Sequence, residues 1–191
     1  DGMRGAFRFK RADGVTARLA HEPTFNKASQ IRSYLVNQKP DIVLEVTLPK
    51  SPDLTKADSS EEKQFIWLFD AKYRIKTEKN RFDDSNEDIE STDYVPDDAI
   101  NQMHRYRDAI YYRDYVEAPL KKEVIGGYIL FPGDGKPIDV EMAKFYQTIK
   151  EVNIGAFPLR PNDERNRLLL ENFIQELIET KAKDTVQHVI P

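Results

Sequence analysis

The stretch Gln64-Phe-Ile-Trp-Leu-Phe-Asp-Ala-Lys72 decides how this chain is read. Phe65 to Phe69 is a continuous apolar run, and the segment from Gln64 to Ile75 reads as a central strand buried on both faces. The run then meets an acid. Asp70 stands at its end, where an ionised carboxylate without a partner is strongly disfavoured. Lys72 follows two positions later, and the period of two along a strand puts both side chains on one face. Carboxylate and ammonium are therefore expected to point into one place.

Working outward, Asp41 to Leu48 (Asp-Ile-Val-Leu-Glu-Val-Thr-Leu) carries β-branched residues in the pattern of a second strand, which Asp41 opens directly after Pro40. Asp41 and Asp70 lie 29 residues apart, a spacing that fits two neighbouring strands joined by a polar connection over 49–60. Phe7 to Phe9 and Val15 to Leu19 flank Arg11-Ala-Asp-Gly14, the strongest hairpin signal in the chain. Ser33-Tyr-Leu-Val36 is expected to be a further strand.

Residues 77–98 have no apolar periodicity and read as an acidic flexible loop beside the Asp70 region. A helix is expected from Asp97 to about Tyr115, with Ile100, Met103, Tyr106 or Arg107, and Ile110 at helical spacing. Gly127 to Phe131 reads as a short buried strand closed by Pro132-Gly-Asp-Gly135. Val140 to Val152 and Glu164 to Lys183 read as amphipathic helices. The sum is an α/β fold with a mixed β-sheet flanked by helices, one domain over residues 1–191. The opening Asp1-Gly2 reads as an internal start or a tag remnant, and the chain is expected to be the C-terminal part of a longer protein.

Composition narrows the chemistry. The formal net charge of -4 offers no bulk basic excess for a polyanion. The charge is unevenly spread: residues 1–50 hold nine Lys or Arg against five Asp or Glu, whereas 77–98 hold two against nine. Charges act within roughly 10 Å in ordinary salt, so a local basic face can still meet nucleic acid. No cysteine is present, and the three histidines, His21, His104 and His188, are scattered. Disulfides and thiolate zinc sites are excluded, and any metal is held by oxygen, which favours magnesium or manganese. There is no run of about 18 apolar residues and no signal-peptide pattern, so no membrane partner and a cytoplasmic location are expected.

Asp41 and Asp70 around a divalent cation, with Lys72 to orient water or stabilise developing charge, suit phosphodiester hydrolysis. The backbone carbonyl of Ala71 offers another hard oxygen ligand. Gln102 and Tyr106 share a helix face and can hydrogen-bond a phosphate or the site itself. Each feature has a plainer reading. Asp41 can merely begin a strand, Asp70 and Lys72 can be a surface ion pair, and Gln102 and Tyr106 can be ordinary helix-face residues. Arg74, Lys76, Arg105 and Arg107 are read as surface pairs with Asp108, Asp114 and the acidic loop. The ordered occurrence of the acids and the lysine favours the site.

Pro40-Asp41, Asp70-Ala71-Lys72 and Gln102-Met-His-Arg-Tyr106 together resemble the PD-(D/E)XK nuclease superfamily, including the Q-x-x-x-Y helix motif of some of its branches. More narrowly, Phe69-Asp-Ala-Lys-Tyr-Arg74, Met103-His-Arg-Tyr-Arg-Asp-Ala-Ile110, Ile129-Leu-Phe-Pro-Gly133 and Ile154-Gly-Ala-Phe-Pro-Leu159 look like the DUF2357 group. That group is related to the nuclease subunit of McrBC-type restriction systems. The resemblance implies a restriction-endonuclease-like core and a Mg2+-dependent endodeoxyribonuclease of a restriction or phage-defence system, with Mn2+ as a substitute ion. It implies that Asp41 and Asp70 bind the metal, Lys72 acts on water, and Gln102 and Tyr106 support the site or touch the DNA backbone. DNA, a motor NTPase subunit or an upstream DNA-recognition domain are the implied partners, and a homodimer is open to it.

Many members carry a further acid on a helix before the first core strand, which this chain begins too late to show. Glu22 and Glu45 are poor substitutes, Glu45 lying roughly 13 Å along the strand from Asp41. The rival reading is a catalytically silent module that binds DNA or a partner protein through the same fold. A third is an assembly domain built around the last helix.

Overall fold

The computed structural model describes residues 5–28, 31–33, 35–49, 63–72, 75–77, 91–93, 95, 97–113, 117, 121–122, 124–133 and 140–187. In chain order the elements are β1 (Ala6–Lys10), β2 (Thr16–His21), β3 (Ile31–Ser33), β4 (Ile42–Leu48), β5 (Lys63–Ala71), β6 (Ile75–Thr77), β7 (Ser91–Asp93), α1 (Asp97–Ala109), β8 (Ile110–Tyr112), β9 (Val124–Phe131), α2 (Val140–Val152), β10 (Ile154–Pro158) and α3 (Glu164–Gln187).

Six strands form one sheet in the order β1-β2-β4-β5-β9-β10. The first four pair antiparallel and the last three pair parallel, which makes the sheet mixed, with β5 at the change of direction. The apolar run of β5 is continuous because both of its faces are covered. Ile66 and Leu68 enter one core with Val43, Ile129, Met103 and Tyr106. Trp67 and Phe69 enter a second core with Leu44, Tyr128 and Phe157, against which Phe173 and Leu177 of α3 pack. Helices α1 and α3 thus flank opposite faces, as expected for the α/β class.

Two glycines set close geometry. Gly14 adopts φ +90° at the β1–β2 turn, where its N–H donates to the Arg11 carbonyl at 3.1 Å. Gly127 lies under α1, where a Cβ would stand 3.1 Å from the Cβ of Met103. Its missing side chain lets the helix rest directly on β9.

Several expectations need correction. The strand expected at Ser33 to Val36 lies earlier, at Ile31–Ser33, and Leu35 and Val36 are exposed. The strand from Gln64 ends at Ala71, and Ile75 belongs to a separate ladder in which β6 pairs with β7. Residues 77–98 therefore include paired backbone at both ends and the first turn of α1, while 78–90 lie outside the described residues.

Helix α1 stops at Ala109 rather than near Tyr115. Ile110–Tyr112 leaves the helix to pair with β3, where tertiary pairing overrides a helical spacing. Strand β10 is not anticipated as a strand at all, since it contains Gly155 and Pro158 and follows α2 after the single residue Asn153. Asn153 takes a left-handed φ of 56° and ends the helix, as asparagine does at that position.

Candidate active site

The acids converge because of strand register. Ile42 pairs with Phe69 in the antiparallel β4–β5 ladder, so Asp41 just before β4 faces Asp70 near the end of β5. Like charges directly opposite on neighbouring strands repel. Asp70 is buried to 2% exposure, at the end of the series Ile66, Leu68, Asp70 on the α1 side of the sheet. Asp41 is half-buried and Ala71 is exposed, so the pair lies at a margin of the core that solvent reaches.

The polar contacts are specific. The Asp41 Oδ2 accepts a hydrogen bond from the Ala71 N–H at 2.8 Å. On the other side of the strand the Lys72 N–H donates to the Leu130 carbonyl at 2.9 Å. The Lys72 ammonium makes an ion pair with Asp70 Oδ2. That oxygen is otherwise buried without a well-directed hydrogen bond. Burial pushes the Asp70 carboxyl above its ordinary range, Lys72 pulls it back down, and the charge of Asp41 pushes it up again.

Helix α1 backs the pair. Gln102 Nε2 donates to the Tyr106 hydroxyl at 2.6 Å, and that hydroxyl donates to the Lys39 carbonyl at 3.1 Å. Tyr106 is 5% exposed, and burial raises its phenol while Asp70 and Asp41 add to the rise. The six residues singled out by sequence, Ala71 among them by its backbone, are therefore gathered at one end of β4 and β5. The buried hydroxyl of Tyr106 faces the protein's own backbone at Lys39. Arg107 donates to the Val152 carbonyl at 2.8 Å and Asp108 pairs with Lys122, which differs from the surface pairs expected among them.

Two residues at the site were not foreseen in the arrangement they take. Glu22 donates its N–H to the Asp41 carbonyl at 2.6 Å and its carboxylate meets Lys39 Nζ at 2.6 Å. A contact between residues 17 positions apart leaves no signal in the linear pattern. Glu45, by contrast, is taken up by Arg18.

The donor set fits a magnesium-type cation. Two carboxylates stand side by side, among the described residues a lysine ammonium pairs with Asp70, and Asp70 Oδ2 has oxygen capacity to spare. Among the described residues no group of three or more His, Cys, Asp or Glu converges. Mg2+ is commonly held by one or two carboxylates with water filling the other positions, whereas zinc or an all-protein calcium cage asks for more. An extended residue directs its C=O to the same side as its N–H, so the Ala71 carbonyl is on the Asp41 side of β5.

Residues 1–136 match the family model of the PD-(D/E)XK nuclease superfamily. The match takes in Asp41, Asp70, Lys72, Gln102 and Tyr106 and the sheet as far as β9, while β10 and α3 lie beyond it. No curated protein and no solved structure matches the chain. Among the described residues no helix is long and apolar enough to cross a membrane.

Proposed function

Because the chain belongs to the PD-(D/E)XK nuclease superfamily, we propose that it is a Mg2+-dependent endodeoxyribonuclease whose centre is formed by Asp41, Asp70 and Lys72. The observation that carries the reading is the facing pair Asp41 and Asp70, one of them buried and ion-paired with Lys72. A structural ion pair has no use for the second acid.

Asp41 and Asp70 would hold the cation, with the Ala71 carbonyl offering a further ligand. When bound, the cation supplies polarisation of a phosphoryl oxygen and a water of lowered pKa. Lys72 Nζ orients the attacking water and stabilises negative charge gathering on the phosphoryl oxygens. Gln102 and Tyr106 keep the pair in place from behind. The likeness of Phe69 to Arg74 and Met103 to Ile110 to the DUF2357 group supports DNA as the substrate and a restriction or phage-defence setting. Recruitment then falls to a motor NTPase subunit or an upstream DNA-recognition domain.

The test is cleavage of supercoiled plasmid with Mg2+ or Mn2+ by the wild type, Asp70→Ala and Lys72→Ala at equal concentration. Cleavage that requires the metal and disappears in both variants is the expected result. A second reading, a silent module that binds DNA or a partner protein, draws support from the absence of a third acid among the described residues. DNA binding undiminished in both variants, with no cleavage by the wild type in the presence of its partners, is the outcome that favours it.

A further inference from the structure

The turn that presents Asp41 is gripped from three directions. Tyr106 donates to the carbonyl of Lys39, Glu22 donates its backbone N–H to the carbonyl of Asp41, and the Glu22 carboxylate holds the Lys39 ammonium. Between them Pro40 is buried and has no N–H of its own to give. The backbone on both sides of Pro40 is thus tied to β2 and to α1, and the Asp41 carboxylate reaches across to the Ala71 N–H.

Glu22 makes these contacts in an unusual conformation. Its φ is 46°, the left-handed region that long side chains rarely adopt, and it precedes Pro23, which normally holds the residue before it in an extended shape. The ion pair it gains is exposed, with side chains 55% and 48% accessible for Lys39 and Glu22. Exposed pairs of this kind contribute little to folding. Strain without an equal gain in stability, kept beside a reactive centre, is the circumstance in which backbone strain serves function.

We infer that Glu22 and Lys39 form a positioning brace that sets the direction of the Asp41 carboxylate. The inference rests on Asp41 belonging to the active centre, as proposed above. The brace acts through geometry: Glu22 fixes the carbonyl of Asp41 and the side chain of Lys39 at once, so the short turn between them cannot swing the carboxylate away from Ala71. Neither residue touches the reacting atoms.

Two backbone amides offer a readout that depends on neither metal nor DNA. The Ala71 N–H is held by the Asp41 carboxylate, and the Lys72 N–H is held by Leu130 on the opposite side of the same strand. In Glu22→Gly, which relieves the backbone strain while deleting the carboxylate, hydrogen exchange at Ala71 accelerates about threefold and exchange at Lys72 is unchanged. Lys39→Met gives the same pattern. The exchanged pair Glu22→Lys with Lys39→Glu restores protection at Ala71.

Ala71 protection unchanged in both single variants overturns the brace, as does an equal loss at Ala71 and Lys72. So does failure of the exchanged pair to restore it. Plasmid cleavage by the same proteins separates the two claims. A wild type that does not cleave in the presence of its partners, with Ala71 still responding to Glu22→Gly, defeats the nuclease reading and leaves the brace standing.

Discussion

Two buried acids share one face of the sheet, and their surroundings are opposite in kind. Glu45 on β4 is 6% exposed and faces Arg18 across the ladder; both of its oxygens accept from Arg18 Nη1 at 3.1 Å, and Gln64 adds a longer contact at 3.4 Å. Asp70 on β5 is 2% exposed and faces another acid. Burial raises both carboxyls, but Arg18 then draws Glu45 down, whereas Asp70 is drawn down by Lys72 and raised again by Asp41. The first acid is closed by the fold's own cation. The second shares one lysine with a facing acid among the described residues, and on the reading proposed above a divalent cation would supply the remaining positive charge.

The largest effect that tests this contrast is catalytic. Asp70→Ala lowers plasmid cleavage by about a thousandfold or more, because it removes charge stabilisation at the reacting phosphate. Glu45→Ala acts on stability instead. It leaves the Arg18 guanidinium, 23% accessible, without its carboxylate and costs about 2 kcal/mol in denaturant unfolding, with cleavage per folded molecule preserved. Loss of cleavage in Glu45→Ala at full stability would erase the distinction between the two acids.

Tyr106→Phe falls between. It deletes the donor to the Lys39 carbonyl and the acceptor of Gln102, and lowers kcat about tenfold with KM for plasmid unchanged.

The smallest effect is a gain. A carboxyl whose pKa is raised by folding holds its proton more readily in the native state, so its contribution to stability is present in full below the unfolded value and is lost as pH rises through the folded one. Asp70→Asn removes the buried charge and therefore stabilises the protein at neutral pH, by an amount on the order of 1 kcal/mol. The difference from wild type shrinks as pH falls through the carboxylate range, since protonation of Asp70 does the same thing. Chemical denaturation at pH 7 and pH 4.5 checks the sign (the lower pH is about where carboxylates begin to titrate).

What is legible in the sequence follows the same division between local and distant causes. The apolar run of β5, the Asp13-Gly14 hairpin, the strand from Ile42 and the helix Val140–Val152 carry their signals in neighbouring residues, and the structure places them where periodicity does. Ile110–Tyr112 and Ile154–Pro158 do not. Each becomes a strand because a partner strand lies alongside, and the first even sits in phase with the preceding helix.

The candidate site divides likewise. Asp41, Asp70, Lys72, Gln102 and Tyr106 were visible as short patterns in order along the chain. Their meeting depends on β4–β5 register and on the approach of α1 over Gly127. The contact of Glu22 with Lys39 and Asp41 arises from a left-handed residue between β2 and Pro23, and an isolated Glu-Pro pair in a sequence announces nothing of the kind.

Binding of Mn2+ measured by electron paramagnetic resonance tests the central claim most directly, by comparing the wild type with Asp41→Asn, Asp70→Asn and Glu45→Gln. The account predicts that the wild type and Glu45→Gln bind the ion and that both aspartate variants lose it. Equal binding by all four proteins, or loss in Glu45→Gln alone, would contradict it.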